Sequence, residues 1–78
     1  MKELLENIRF KTGIEIIKKY ESNPLIYECI MEDTEFYIGD MNIWRNIITK
    51  DDINKLEELG FMYYEEAECF LFKLNFFK

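Results

Sequence analysis

The stretch TKDDINKLEELGFMYYEEAECFLFKL, residues 49–74, decides the fold, because a complete helix signal runs directly into two strand signals. Thr49 predicts a helix N-cap, and Asp52, three residues on, is the acid of a capping box. One apolar stripe follows at helical spacing, formed by Ile53, Leu56 and Leu59. Gly60 predicts the end of this helix.

Beyond Gly60 the pattern becomes that of two strands, residues 61–64 and 69–77, on either side of an acidic turn at 65–68. Successive side chains on a strand point to opposite faces. One face of the second strand therefore holds Phe70, Phe72, Leu74 and Phe76, and the other holds Cys69, Leu71, Lys73 and Asn75. The first face packs on the helices. The second is either covered as well or left as an aromatic patch for a partner or a second copy.

The N-terminal half predicts one helix and three strands. Residues 2–13 share an apolar helical face and end at Gly13, which suits a left-handed C-cap. Residues 14–20 then read as a strand, with a helical continuation capped by Thr12 as the alternative. Two further strands are predicted at residues 25–31 and 35–39, separated by turns of polar residues.

These elements predict an α+β fold in which two short helices pack on a mostly antiparallel sheet of about five strands, in the order α-β-β-β-α-β-β. A chain of 78 residues supports one small domain, residues 1–78, and its core is small enough that dimerisation would add useful stability.

The net charge of −6 indicates a chain that avoids nucleic acid and anionic membranes, because phosphate binding needs clustered Lys and Arg. Such a surface favours a basic partner. Cys29 and Cys69 lie in separate apolar runs and read as buried thiols, with a disulfide as the lesser alternative. No apolar run has the length of a signal peptide or membrane span, so a cytoplasmic location is expected.

The composition argues against an enzyme. Histidine is absent, which removes the commonest general base and the usual zinc ligand sets. The three glycines, Gly13, Gly39 and Gly60, stand alone and form no phosphate-binding loop. The carboxylates fall in turns and on a helix surface, where little would raise a pKa. We therefore expect no catalytic residue, no metal and no cofactor.

Two acidic turns provide the candidate binding residues. If both emerge at one end of the sheet, their carboxylates share one rim that resembles a polyanion to a basic protein, and Asp51 and Asp52 extend it. Leu71 and Tyr64 supply an apolar patch beside it. Trp44 next to Arg45 is a candidate hot spot, with a Trp lid on the core as the alternative. The acidic residues of the predicted site are Glu32, Asp33, Glu35, Asp40, Glu65, Glu66 and Glu68. The alternative for these acids is an ordinary solvated surface.

The ending KLEELGFMYYEEAECFLFKL, residues 55–74, together with a composition rich in Ile, Lys and Asn, resembles that of small acidic proteins of bacteriophages and other mobile elements, among them the anti-CRISPR proteins. This resemblance implies a stoichiometric inhibitor that occupies a basic nucleic-acid-binding or protospacer-motif-binding surface of a CRISPR effector in the host cytoplasm. The alternative is a small structural or regulatory module that associates with itself.

Overall fold

The first described helix continues through Gly13. In the computed structural model, which describes residues 6–28 and 35–74, helix α1 spans Ile8–Ile17. Asn7 is its N-cap, and its side chain accepts a hydrogen bond from the backbone N–H of Phe10 at 3.0 Å. The prediction of a helix end at Gly13 and a strand over 14–20 is therefore wrong. The helical alternative is confirmed as far as Ile17, although its cap is Asn7 and not Thr12.

The buried face of α1 explains this outcome. Phe10, Gly13 and Ile17 are buried at helical spacing, whereas Ile8 is 75% exposed. The apolar stripe of α1 thus begins at Phe10 and includes the glycine, which lies against the ring of Phe61. The part of the predicted helix before Glu6 lies outside the described residues.

Four antiparallel strands form one sheet among the described residues. They are β1 (Ile26–Glu28), β2 (Glu35–Ile38), β3 (Phe61–Tyr64) and β4 (Cys69–Lys73), and they lie side by side in the order β1-β2-β4-β3. The α+β class and the antiparallel sheet are confirmed. The structure describes four strands where about five were predicted, because residues 14–17 are helical. Residues 29–31 and 75–77 of the predicted strands lie outside the described residues.

Two more helices follow β2. Helix α2 is a short helix, Met41–Trp44, that the sequence patterns did not predict, and helix α3 spans Lys50–Glu58. The predicted cap of α3 is confirmed, since the Thr49 side chain accepts a hydrogen bond from the N–H of Asp52 at 3.1 Å. Gly60 follows the helix with a φ of 100°, a conformation that glycine adopts readily.

The core lies between the three helices and one face of the sheet. The fully buried large side chains come from every layer, and they are Trp44, Phe36, Phe61, Phe70, Phe72, Ile17, Ile38, Met41 and Leu56. Phe61 pairs in register with Phe72 and contacts Phe10 of α1, which ties the last hairpin to the first helix. Aromatic rings therefore supply much of the burial that stabilises this small domain.

Candidate protein-binding surface

The turn between β3 and β4 presents three exposed glutamates. Glu65–Ala67 form one turn of 3-10 helix, closed by a hydrogen bond from the N–H of Glu68 to the carbonyl of Glu65 at 3.1 Å. Glu68 has a φ of 54°, in the left-handed region that glycine or asparagine prefers. The side chains of Glu65, Glu66 and Glu68 are all exposed.

Asp40 lies at the same end of the sheet as this turn. It is the N-cap of α2, and its side chain accepts a hydrogen bond from the N–H of Asn42 at 3.0 Å. The next residue, Met41, donates its N–H to the carbonyl of Glu68 at 2.7 Å, which fixes the start of α2 against the acidic turn. We call the four carboxylates of Asp40, Glu65, Glu66 and Glu68 the acidic end.

The acidic end has little cationic compensation. Within residues 6–28 and 35–74, no Lys or Arg forms an ion pair with any of its four carboxylates. Arg45, the C-cap of α2, is exposed, and its guanidinium donates to the sulfur of Met41 at 2.9 Å. Neighbouring carboxylates without cations create a negative potential that attracts a basic surface.

A buried glutamate accepts hydrogen bonds from the segment that carries Asp40 of the acidic end. Glu21 is 8% exposed, and its Oε1 accepts from the N–H of Asp40 at 2.8 Å and from the indole Nε1 of Trp44 at 3.2 Å. Gly39 lies beside them with a φ of 83°, and a Cβ there would stand 3.1 Å from the Glu21 Oε1. One carboxylate therefore joins the loop after α1, the cap of α2 and the core.

Trp44 belongs to the core and not to the surface. It is fully buried, its ring stacks on Phe70 with centroids 4.3 Å apart, and it meets Tyr63 edge to face at 5.8 Å. The sequence-based alternative, in which the tryptophan packs on the core, is the arrangement observed. Its ring is not available to a partner in this conformation, because Glu21, Phe70 and Tyr63 surround it.

The strand directions separate Glu35 from the acidic 65–68 turn. Because β2 runs antiparallel to β4, Glu35 pairs with Lys73 while Ile38 pairs with Phe70, next to the 65–68 turn. Glu35 and the acidic end thus lie at opposite ends of the sheet, roughly 13 Å apart along β4. Glu35 forms an ion pair with Lys73 at 3.8 Å, so the predicted rim shared by both turns does not include it. Glu32 and Asp33 lie outside the described residues.

Tyr64 and Leu71 occupy the face of the sheet that points away from the helices. The ring of Tyr64 stacks on Tyr37 with centroids 5.9 Å apart. Strand β4 lies between the strands that carry these tyrosines, so the two rings must lean over it. This explains why Leu71 and Cys69 are only 8% and 4% exposed although no described helix packs on this face. Cys69 is a buried free thiol, as predicted, and burial raises the pKa of this thiol. Cys29 lies outside the described residues.

A second polar cluster, which the sequence patterns missed, joins α1 to the start of α3. The Tyr20 hydroxyl donates to the Asp52 carboxylate, and the Lys19 ammonium lies 2.9 Å from it. Asp52 is 4% exposed and therefore does not extend the acidic surface, whereas Asp51 is exposed. The backbone N–H of Thr49 donates to the Tyr20 oxygen at 3.4 Å, so Tyr20 takes the place that the acid of a capping box would fill.

The contacts in this cluster shift the pKa values of Asp52 and Lys19 in opposite directions. The hydrogen bond from Tyr20, followed by the one from Lys19, lowers the pKa of Asp52 below its ordinary value of 3.8. The same contact with Asp52 raises the pKa of Lys19. A carboxyl whose pKa is lower in the folded chain stabilises the fold fully above its unfolded pKa, and this contribution is lost as the pH falls through the folded pKa.

Asp52→Asn is therefore expected to lower the free energy of unfolding by about 1–3 kcal/mol at pH 7. This gap in unfolding free energy between the variant and the wild type should be constant down to about pH 5 and should narrow below about pH 4. Urea unfolding at a series of pH values measures this gap. Asp51→Asn, at the exposed neighbouring position, is the matched control and should shift stability little. A gap for Asp52→Asn that stays constant to pH 3 would show that the ion cluster does not stabilise the fold.

The part of the chain that the structure describes contains no enclosed ligand pocket and no group of three metal-ligating side chains. Over residues 6–28 and 35–74, no helix has the length and apolar character needed to cross a bilayer. The surface features described above are built from carboxylates and aromatic rings.

Comparison with known proteins yields no match to a family model, to a curated protein or to a solved structure.

Proposed function

We propose that this chain is a non-enzymatic protein-binding inhibitor of the anti-CRISPR kind, encoded by a phage or other mobile element. In this proposal it blocks a basic, nucleic-acid-binding host defence protein in the host cytoplasm by standing in for the nucleic acid. The acidic end makes the contact. The observation that carries the proposal is the convergence of Asp40, Glu65, Glu66 and Glu68 on one end of the sheet, without ion pairs among the described residues.

The geometry at Glu68 supports this proposal. A residue other than glycine in the left-handed region costs roughly 1 kcal/mol, and glycine would remove that cost. The chain nevertheless carries a carboxylate there, at a φ of 54°. A turn that keeps a carboxylate at this position against the backbone preference suits a surface whose charges meet a preformed cationic groove.

The chemistry of the partner follows from charge complementarity. Lys and Arg side chains that bind phosphates would meet opposite charge at the four carboxylates, and no direct binding to nucleic acid is expected. Because the charges are exposed, the interaction should weaken as salt shortens the Debye length from about 10 Å at 0.1 M to about 3 Å at 1 M.

Replacing Glu65, Glu66 and Glu68 with Lys is expected to weaken binding at least about tenfold. Three baits would be compared in nuclease-treated bacterial lysate: the wild type, this triple variant, and a control with Glu15, Glu57 and Glu58 replaced by Lys. The two variants have equal net charge, but Glu57 and Glu58 close α3 ahead of β3, at the opposite end of the sheet. The expected partners are proteins that bind the wild type and the control, do not bind the acidic-end variant, and are released by heparin.

A purified partner then tests inhibition directly. Adding the wild-type chain should reduce its nucleic-acid binding in a stoichiometric, salt-sensitive titration, and the control variant should act within about twofold of the wild type. If the acidic-end variant captures and inhibits the same protein as well as the wild type does, polyanion mimicry by this surface is refuted.

A further inference from the structure

A row of apolar side chains crosses the whole outer face of the sheet. Tyr27 pairs in register with Tyr37, Tyr37 with Leu71, and Leu71 with Met62, so one residue from each strand contributes to the row. All four point away from the helices, since their neighbours Phe36, Phe70 and Phe72 point into the core. Tyr27 is 60% exposed and Met62 is 42% exposed, which leaves both ends of the row open to solvent.

A charged row lies next to the apolar row on the same face. Glu35 and Lys73 are paired in register on β2 and β4, and each is two residues from a member of the apolar row. Their side chains are 25% and 42% exposed and lie 3.8 Å apart, so both retain solvent-facing surface. The face therefore combines apolar contacts with one positive and one negative group, while the excess negative charge of the acidic end lies at the far end of the strands.

We infer that this face binds a second copy of the chain, sheet against sheet, about a twofold axis that runs parallel to the strands and between β2 and β4. The operation reverses the lateral strand order, so that β2 faces the partner's β4 and β1 faces the partner's β3. Glu35 then faces the partner's Lys73, and Lys73 faces the partner's Glu35. Tyr27 meets the partner's Met62, a contact that sulfur and aromatic rings favour.

Other occupants fit this face less well. A basic partner would meet Lys73 on it, and an acidic partner would meet Glu35. A second copy offers the opposite charge at both positions and an apolar row of matching length, with the two sheets packed about 10 Å apart and their strands nearly aligned.

The size of the face sets the strength of the association. Four strands span about 14 Å, and the face is smaller than the roughly 800 Å² per partner that stable complexes bury. We therefore expect a weak dimer, with a Kd of about 0.1 mM. Because the axis runs along the strands, both 65–68 turns emerge at the same end of the dimer, which would double the acidic end.

A charge-exchange experiment tests this dimer. Glu35→Lys alone sets Lys against the partner's Lys73, and Lys73→Glu alone sets Glu against the partner's Glu35, so each variant should dimerise about tenfold more weakly than the wild type. An equimolar mixture of the two restores both opposite-charge contacts between chains, and its association should return to within about twofold of the wild type. Sedimentation equilibrium at 0.05–1 mM would be the measurement, with circular dichroism confirming that each variant is folded.

The mixture isolates the contact between chains, because the pair within each chain stays broken in both variants. Glu15→Lys and Lys18→Glu, at an exposed ion pair between α1 and its C-cap, change the net charge by the same amounts and should leave dimerisation within about twofold of the wild type. A wild type that remains monomeric at 1 mM, or a mixture no better than its components, overturns the inference. Loss of dimerisation in Glu35→Lys with inhibition retained would leave the proposed function standing.

Discussion

Gly13→Leu is expected to leave the chain unfolded at 25 °C. A Cβ at this position would lie 2.1 Å from Cε1 of Phe61 and 2.5 Å from its Cζ. The Phe61 ring is fully buried and held between Phe10 and Phe72, so it has no room to move away. The whole isobutyl group would have to enter this contact, and a domain of this size has only about 3–5 kcal/mol to lose. Far-ultraviolet circular dichroism and Trp44 fluorescence would report the loss.

Gly13→Ala separates this contact from helix propensity. Alanine favours a helix interior by about 1 kcal/mol over glycine, yet its Cβ meets the same ring, so a net loss of about 1–3 kcal/mol is expected. Adding Phe61→Leu should cost less in the alanine background than in the wild type, because the ring that clashes is gone. Lys11→Ala, on the exposed side of α1, should stay within about 0.5 kcal/mol of the wild type. An alanine variant more stable than the wild type would refute the contact.

Gly13 also shows where sequence patterns stop being informative. A glycine after an apolar helical stripe predicts a helix end, because local rules consider only its neighbours. Here the residue that determines its environment is Phe61, on the far hairpin, and the glycine makes room for that ring inside a continuous helix. By contrast, the cap at Thr49 and the end at Gly60 were predicted correctly, since each depends on hydrogen bonds and dihedral angles within a few residues.

The strand order limited the prediction of the binding surface in the same way. Had β2 lain beside β3, as in a simple meander, antiparallel pairing would have set both acidic turns at one end. In the observed order β4 lies between β2 and β3, so Glu35 and the 65–68 turn lie at opposite ends of the sheet. Local patterns predict strands and turns, but pairing between hairpins depends on tertiary packing that no short stretch encodes. The acidic end therefore keeps only Asp40 and the three glutamates of one turn among the described residues.

The polar cluster around Glu21 gave no local signal. A glutamate before a turn of polar residues reads as solvent-exposed, and Trp44 reads equally well as a lid or a hot spot. Only the fold shows that the carboxylate receives two donors, from residues 40 and 44, and is buried with them. Buried polar groups of this kind are satisfied by partners distant in sequence, which is why composition and spacing do not reveal them.

Glu21→Ala is expected to lower the free energy of unfolding by about 3 kcal/mol at pH 7. The substitution removes the acceptor for the N–H of Asp40 at 2.8 Å and for the Nε1 of Trp44 at 3.2 Å, and leaves both donors without it. A buried donor without a partner costs about 1–3 kcal/mol, and the bonds lost here are charge-assisted. The start of α2 should also loosen, because Asp40 caps it and Met41 ties it to Glu68. Urea unfolding followed by circular dichroism would measure the loss.

Glu21→Gln is the informative companion variant, because its amide oxygen can still accept from one or both donors while the charge is gone. Its loss should be about 1 kcal/mol, clearly smaller than that of alanine. Trp44→Phe removes the indole donor, so Glu21→Ala should cost less in the phenylalanine background than in the wild type. Glu28→Ala, at an exposed glutamate of β1, serves as the surface control and should stay within about 0.5 kcal/mol. If the Glu21→Ala and Glu21→Gln variants have the same free energy of unfolding, the hydrogen bonds from Asp40 and Trp44 to Glu21 do not stabilise the start of α2, and another interaction holds the acidic end in place.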